Sequence, residues 1–503
     1  MGDGSAARAY HEATKHSWES VRRRARFLDW DNKPHPFKVY EGDLPRLDLP
    51  DPPPTGVPAV AAIGARAGPG PAAPDLAALG RLLRLGAGVG RTVRFPGGDE
   101  IHFRTYASAG ALYPVEVYAA CGELEGIGAG LYHFDPSAAA LVRLREGDPR
   151  GHLVRATAGE EAAARAPVVL ALTGIPWRTA WKYAERGYRH LFWDAGTMLA
   201  NVLALAAASG LPARLVLGFD DGEVEALLGV DGRREFPLCL VAVGEGPPVP
   251  PAGEPPEALD LPVRRLSPRE LTFEAIAEVH GAGRLEAPEV AAWRSHPAGP
   301  PAGPASLQEP PDPLEEVIAR RGSARRFAPG AVPAAVLRAV LRLATAGIPT
   351  DLAPEGSMPI RPFLVANEVE GIEPGAYAFE EGELRLLRRG EFRAHAGFLC
   401  LEQPLGAEAA ATHFLLADLD GILAALGDRG YRVAQLAGGI VAGRMYLAAY
   451  AHRVGATALT FYDDEVTRFF GRPAEGLACM LVVALGRSPR LERPPLSRPA
   501  RSA

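Results

Sequence analysis

The chain has 503 residues, of which 47% are hydrophobic and 23% charged, and its net charge is −6. That length exceeds what one hydrophobic core usually serves, and the interspersed, slightly acidic charge excludes a nucleic-acid-binding surface. Its four cysteines, Cys121, Cys239, Cys400 and Cys479, form neither a CxxC pair nor a disulfide framework, which predicts a reducing, cytoplasmic setting.

Residues 1–49 read as a separate polar arm, helical through Arg26, whose His11 and His16 lack the Cys or carboxylate partners of a metal site. A Pro/Ala/Gly-rich linker over 50–74 leads into an α+β unit. This unit has helices predicted over 76–85, 192–209 and 223–228 and strands over 115–120, 131–134, 168–173, 214–217 and 238–243. The run Gly86-Ala87-Gly88-Val89-Gly90 follows a helix instead of a strand, so it reads as a helix C-terminal turn and not as a dinucleotide loop. Further linkers over 244–256 and 298–313 flank a connecting helix over 270–279. A second unit then has helices over 314–321, 335–345 and 431–453 and strands over 363–366, 376–379, 456–461 and 477–485. No stretch reaches the about 20 apolar residues of a membrane span, and the N-terminus has no signal-peptide pattern.

The two units repeat. GLYHFD at Gly130–Asp135 recurs as GAYAFE at Gly375–Glu380, Arg186-Gly187-Tyr188-Arg189 recurs as Arg429-Gly430-Tyr431-Arg432, and Glu223-Val224 recurs as Glu465-Val466, at offsets of 245, 243 and 242 positions. Ordered matches at nearly constant spacing mean duplicated domains. The expected division is an arm at 1–49, domains at 75–246 and 313–490, and a linker with its helix at 247–312.

Chemistry-bearing residues are divided between the copies. In the second, Arg321, Ser323 and Arg325 alternate where a helix ends, so guanidinium and hydroxyl donors can converge on a phosphate; a solvated basic helix cap is the competing reading. The first copy has no such cluster, only Arg84 and Arg91. It offers instead Ser108-Ala109-Gly110-Ala111-Leu112-Tyr113-Pro114, a turn of small residues that lets backbone approach a flat ring, where the second copy has 354–359 (PEGSMP). It also offers Lys182-Tyr183, replaced in the second copy by Ala425-Leu426 although the following Arg-Gly-Tyr-Arg is kept. Loss of Lys-Tyr in one copy marks that pair as functional, and retention of Tyr188 and Arg189 marks them as structural. A lysine can serve as a base once burial or a neighbouring cation lowers its basicity, and the adjacent tyrosine can relay the proton.

With these residues in view, the chain resembles the nitroreductase flavoenzyme superfamily, in particular its azoline dehydrogenase (SagB/ThcOx-type) branch, in a tandem two-domain form. The resemblance implies an α+β fold with two nitroreductase-like domains forming an intrachain pseudo-dimer. It also implies FMN bound across their interface, with Arg321, Ser323, Arg325 and the C-terminal Arg487 on the phosphate, Ser108, Ala109, Gly110, Leu112 and Pro114 beside the ring, Thr460 and Phe461 near it, and Lys182 and Tyr183 as the catalytic pair. Complementary loss of motifs makes one composite FMN per chain the expectation. The implied reaction is dehydrogenation of a thiazoline or oxazoline in a modified peptide, or of a small molecule, alongside a possible cyclodehydratase partner. An NAD(P)H-dependent nitro- or quinone-type reductase and a flavin-free scaffold are the alternatives, and no metal, nucleic acid or membrane is expected.

Overall fold

A computed structural model describes residues 2–23, 27–67, 72–95, 100–254 and 256–491. Its strands form two large antiparallel sheets of the same order. The first runs Arg46–Asp48, Ala140–Glu146, Gly130–Asp135, Val115–Cys121, Val168–Gly174, Phe236–Val243, Ala213–Val216; the second runs Glu383–Arg389, Gly375–Glu380, Arg361–Ala366, Ala411–Ala417, Ala478–Gly486, Gly455–Leu459. Except for the extra edge strand Arg46–Asp48, each strand has its counterpart at the same place. The central strands Val115–Cys121, Val168–Gly174 and Phe236–Val243 are buried along their whole length, which explains their unbroken apolar sequence. Edge strand Glu383–Arg389 is largely exposed and its charges fall there. Helices mixed with antiparallel sheets in two copies give the expected α+β pair of nitroreductase-like domains.

The pair is joined through two 22-residue helices, Gly187–Ala208 and Gly430–Ala451. Both are buried along nearly their whole length, polar residues such as Asp194, Asn201 and Gln435 included, so each is enclosed on every side. They cross backbone against backbone: a Cβ at Gly196 would lie 2.5 Å from the carbonyl carbon of Gly439, and one at Gly439 would lie 2.6 Å from the Trp193 carbonyl oxygen. Nearby, Tyr188 and Tyr431 lie almost parallel, 6.4 Å apart at 2°, as a pair related by a twofold axis should. The stretch Pro176–Ala208 is long and apolar enough to cross a membrane, but 89% of its most apolar window is buried within the protein.

Duplication extends further toward the N-terminus than the motifs indicate. Helix Ser5–Ala13 matches helix Glu274–Ala282, and Trp18–Arg23 matches Ala287–Arg294. His11 Nδ1 lies 3.3 Å from the Tyr431 hydroxyl, and His280 Nδ1 lies 3.3 Å from the Tyr188 hydroxyl. The His11 carbonyl accepts from Arg189 at 2.8 Å, and the His280 carbonyl from Arg432 at 2.7 Å. The segment read as a separate polar arm therefore buries Ala7, Tyr10 and His11 at the domain interface. The expected helix end at Arg26 lies outside the described residues.

Candidate active site between the domains

Lys182 and Tyr183 close the helix Pro176–Tyr183, after which Ala184 takes a positive φ of 50° and turns the chain into the long helix. Both side chains reach the Ser108–Gly110 turn: a Cβ at Gly110 would lie 3.1 Å from the Tyr183 hydroxyl and 3.3 Å from Lys182 Nζ. Glycine suits the φ of 64° there, and a Cβ would crowd both side chains. Ala111 and Tyr113 also have positive φ, 54° and 47°, so the turn is held in a conformation that L-residues resist.

Asp194, on the long helix, supplies the clamp. Its carboxyl is hydrogen-bonded by Ser108 Oγ and accepts from Ala109 N at 3.1 Å, while Ser108 Oγ accepts from Tyr113 N at 3.0 Å. Burial raises the Asp194 pKa to about 8 against the lowering effect of these bonds. Burial also raises the Tyr183 phenol, and ionisation of Asp194 would raise it further, so the phenol keeps its proton at neutral pH. Lys182 moves the opposite way: burial first, then Arg325 of the second domain and Lys33 of the arm, lower its ammonium below the ordinary value. Beneath this pair Tyr183 stacks on His190 at 4.1 Å, and an aromatic series continues through Trp193 to Phe461 of the second domain.

The second domain brings its basic cluster to the same interface. Arg321 donates to the backbone carbonyls of Thr105 at 2.9 Å and Arg104 at 3.3 Å, just before the Ser108 turn. Ser323 Oγ lies 3.2 Å from the Tyr446 hydroxyl, which accepts from Ala458 N at 2.6 Å. Asp312 pairs with Arg320 and Arg453, leaving Arg321, Arg325 and Arg490 without an ion pair among the described residues. Such unneutralised guanidinium groups beside exposed Ser323 suit a phosphate. Thr460 Oγ1 lies 3.3 Å from His16 Nδ1, so the arm also borders the site.

Three of the expected contacts sit elsewhere. Leu112 is buried among Ile175, Trp177 and Trp181, and Pro114 is buried with its carbonyl accepting from Ile175 N at 2.9 Å; both pack the Lys182 helix instead of facing the cleft. Arg487 lies against Gly330, where a Cβ would stand 2.5 Å from its Nη1. The C-terminal arginine beside the cluster is Arg490, with Nη1 2.5 Å from a Cβ at Gly322. Phe461 is fully buried, under Arg186 and Trp193.

Asp194, His190, Tyr446, Arg490 and Lys33 were not singled out from the sequence, and His16 was considered only as a metal ligand. The repeat carried a signal for three of them, since His190 and Asp194 align with Val433 and Ala437, and Tyr446 with Leu203, at the offset of the Arg-Gly-Tyr-Arg match. No group of three or more His, Cys, Asp or Glu able to hold a metal occurs among the described residues.

Two copies of this sheet order, with cations and a Lys-Tyr pair meeting across their interface, define a tandem α+β pseudo-dimer. Residues 71–245 and 318–487 match the Nitroreductase family, and the chain belongs to it, an oxidoreductase family. The protein MJ1384 of Methanocaldococcus jannaschii, assigned as a nitroreductase, is 33% identical over 146 residues, 29% of this chain and 72% of that protein. The microcin B17-processing protein McbC of Escherichia coli is 30% identical over 149 residues, 28% of this chain and 54% of that protein. A crystal structure from Anabaena variabilis, also assigned as a nitroreductase, is 26% identical and superposes with a TM-score of 0.78, covering 96% of this chain and 99% of that one.

Proposed function

We propose that the chain is an FMN-dependent dehydrogenase that oxidises thiazoline or oxazoline rings of a modified peptide to azoles. The observation that carries the reading is the meeting of Lys182 and Tyr183 with the Gly110 turn at one side and Arg325 at the other. The 30% identity with a microcin B17-processing protein supports a peptide substrate, with the partner proteins that such processing needs.

The residues fit FMN. Arg321, Ser323, Arg325 and Arg490 would hold its phosphate, and the Ser108–Gly110 turn, free of a side chain at Gly110, would lie along its ring. Bound there, FMN would supply a two-electron acceptor for hydride. Lys182, with its basicity lowered, takes the proton from the ring carbon next to the one that gives up hydride, and the C–C single bond between them becomes double. Proton and hydride together account for the two electrons and two hydrogens lost, and aromatisation drives the reaction. Tyr183, protonated, donates toward the substrate or relays the Lys182 proton to solvent. Asp194 acts through the turn, holding Ser108 and Ala109 in place.

The test is anaerobic mixing of the yellow protein with an azoline-containing peptide or with NAD(P)H, followed by flavin absorbance. Bleaching by the peptide is expected, with Lys182→Ala and Tyr183→Phe slowing it about 100-fold or more while retaining flavin. Bleaching by NAD(P)H alone would refute the dehydrogenase reading.

A further inference from the structure

The pseudo-twofold axis places a second chamber where the first domain should have its counterpart of the Ser323–Tyr446 cluster. Leu203, Ala204 and Ala207 line it, aligned with Tyr446, Leu447 and Tyr450, together with Pro212 and Ala213, aligned with Gly455 and Ala456. Replacement of two tyrosines by leucine and alanine leaves a cavity of about 200 Å³. The adjoining chamber, where a flavin ring would have to lie, measures only about 20 Å³ by the same measure, room for about one water. Leu217, Val433, Leu436 and Ile440 are among the apolar residues that line it. Ala437 replaces the Asp194 clamp, and no Lys-Tyr pair stands beside it.

The larger chamber is nevertheless basic. Arg66, Arg214 and Arg444 line it, and they come from different parts of the chain: the loop after helix Ala59–Ala62, strand Ala213–Val216 and the second long helix. Arg444 is only 3% exposed; its Nη1 and Nη2 donate to the carbonyls of Ala346 and Gly347, and it has no carboxylate partner among the described residues. Burial and the nearby Arg66 lower its pKa to about 10. Arg66 Nε is buried without a hydrogen-bond partner. The facing carboxylates are Glu355, 2.7 Å from Arg66 and 63% exposed, and Glu160, 3.3 Å from Arg214. Three guanidinium groups against two carboxylates leave a net positive charge around a space that can hold an anion, and a buried cation without a counter-charge is costly.

We propose that this chamber is a second ligand site, for a phosphate group borne by a small molecule other than flavin or supplied as free phosphate. The anion is held between Arg66, Arg214 and Arg444, so it ties the Arg66 loop of the first repeat to the long helix of the second. The site is independent of the proposed flavin chemistry, because none of its residues lines the Lys182 cleft.

Calorimetric titration of the flavin-loaded protein with inorganic phosphate and with ribose 5-phosphate, at matched chloride ionic strength, tests this. One site per chain is expected, weakened at least 10-fold in the Arg66→Ala/Arg214→Ala protein, tightened by Glu355→Gln and unchanged by Lys182→Ala. Tighter binding of ribose 5-phosphate assigns a phosphate ester, and equal affinity assigns free phosphate. Glu355→Gln removes only an exposed carboxylate, so it keeps the test meaningful if the double variant folds poorly. Absence of binding, binding indifferent to both variants, or uptake of a second FMN that phosphate displaces would overturn the proposal.

Discussion

Asp463 and Asp221 offer a matched pair of perturbations. Asp463 accepts from Arg189 at 2.8 Å and Arg186 at 3.0 Å, all three nearly inaccessible to solvent, and from the half-buried His16 N at 2.8 Å. Asp221 accepts from Arg432 at 2.8 Å, Arg429 at 2.5 Å and Leu285 N at 2.9 Å in the same manner. Burial alone would raise both carboxyls; the paired arginines outweigh it and hold both below the usual range. Their stabilisation is therefore complete above pH about 4 and is lost as pH falls through the lowered values. Replacing either with asparagine strands two buried guanidinium groups, a loss of about 3–5 kcal/mol, or a melting-temperature fall of roughly 3–5 °C with the interlocked halves as one cooperative unit. Consequences for activity should differ. Arg186 lies 5.2 Å over the Phe461 ring beside the Lys182 cleft, whereas Arg429 lies 4.3 Å over Phe219 beside the closed chamber. Thermal melts and turnover of both variants are the assay: similar stability losses, with turnover falling at permissive temperature only for Asp463→Asn. Unchanged melting, or equal loss of turnover from both, would refute the reasoning.

Replacing Arg321 and Arg325 with alanine should weaken FMN at least about 100-fold, from charge-assisted bonds of roughly 1.5–3 kcal/mol each, while alanine at Arg84 and Arg91 leaves affinity unchanged in a fluorescence titration. Flavin released from purified protein should amount to about one per chain by absorbance; a value near two would contradict the closed second chamber. Because Asp194 carries a folded-state pKa of about 8, above its unfolded value, the folded protein retains a proton that the unfolded chain releases. Its stabilisation is present below pH about 4 and is lost as pH rises toward 8, at up to about 1.4 kcal/mol per pH unit. Melting curves of Asp194→Asn should lack this decline relative to the parent.

The repeat was legible because both copies keep the residues that meet on the axis: Tyr188 faces Tyr431, and the Arg-Gly-Tyr-Arg arginines hold Asp463 and Asp221. The long helices showed too, as long runs dominated by apolar residues. The same enclosure hid Asp194, one carboxyl in a helix that otherwise reads as core. The arm's docking was invisible because its partners, Tyr431 and Asp463, lie more than 400 residues away and the helix Ser5–Ala13 is short and rich in polar residues. Arg490 and Arg487 could not be told apart by spacing, since the turn after strand Ala478–Gly486 decides which one reaches Gly322.

The glycine contact where the long helices cross bears on how such a molecule can vary. In a dimer of identical subunits, a residue on the axis faces its own copy, and every change there is written twice at once. Here positions 196 and 439 are encoded separately, as are 194 and 437 two residues before them. A bulkier residue at one can be matched by a concession at the other, and a carboxylate can be discarded on one side without being lost on the other. Joining the halves in one polypeptide thus frees each side from its twin, letting one be lined with hydrocarbon while the other keeps its carboxyl, its lysine and its guanidinium groups.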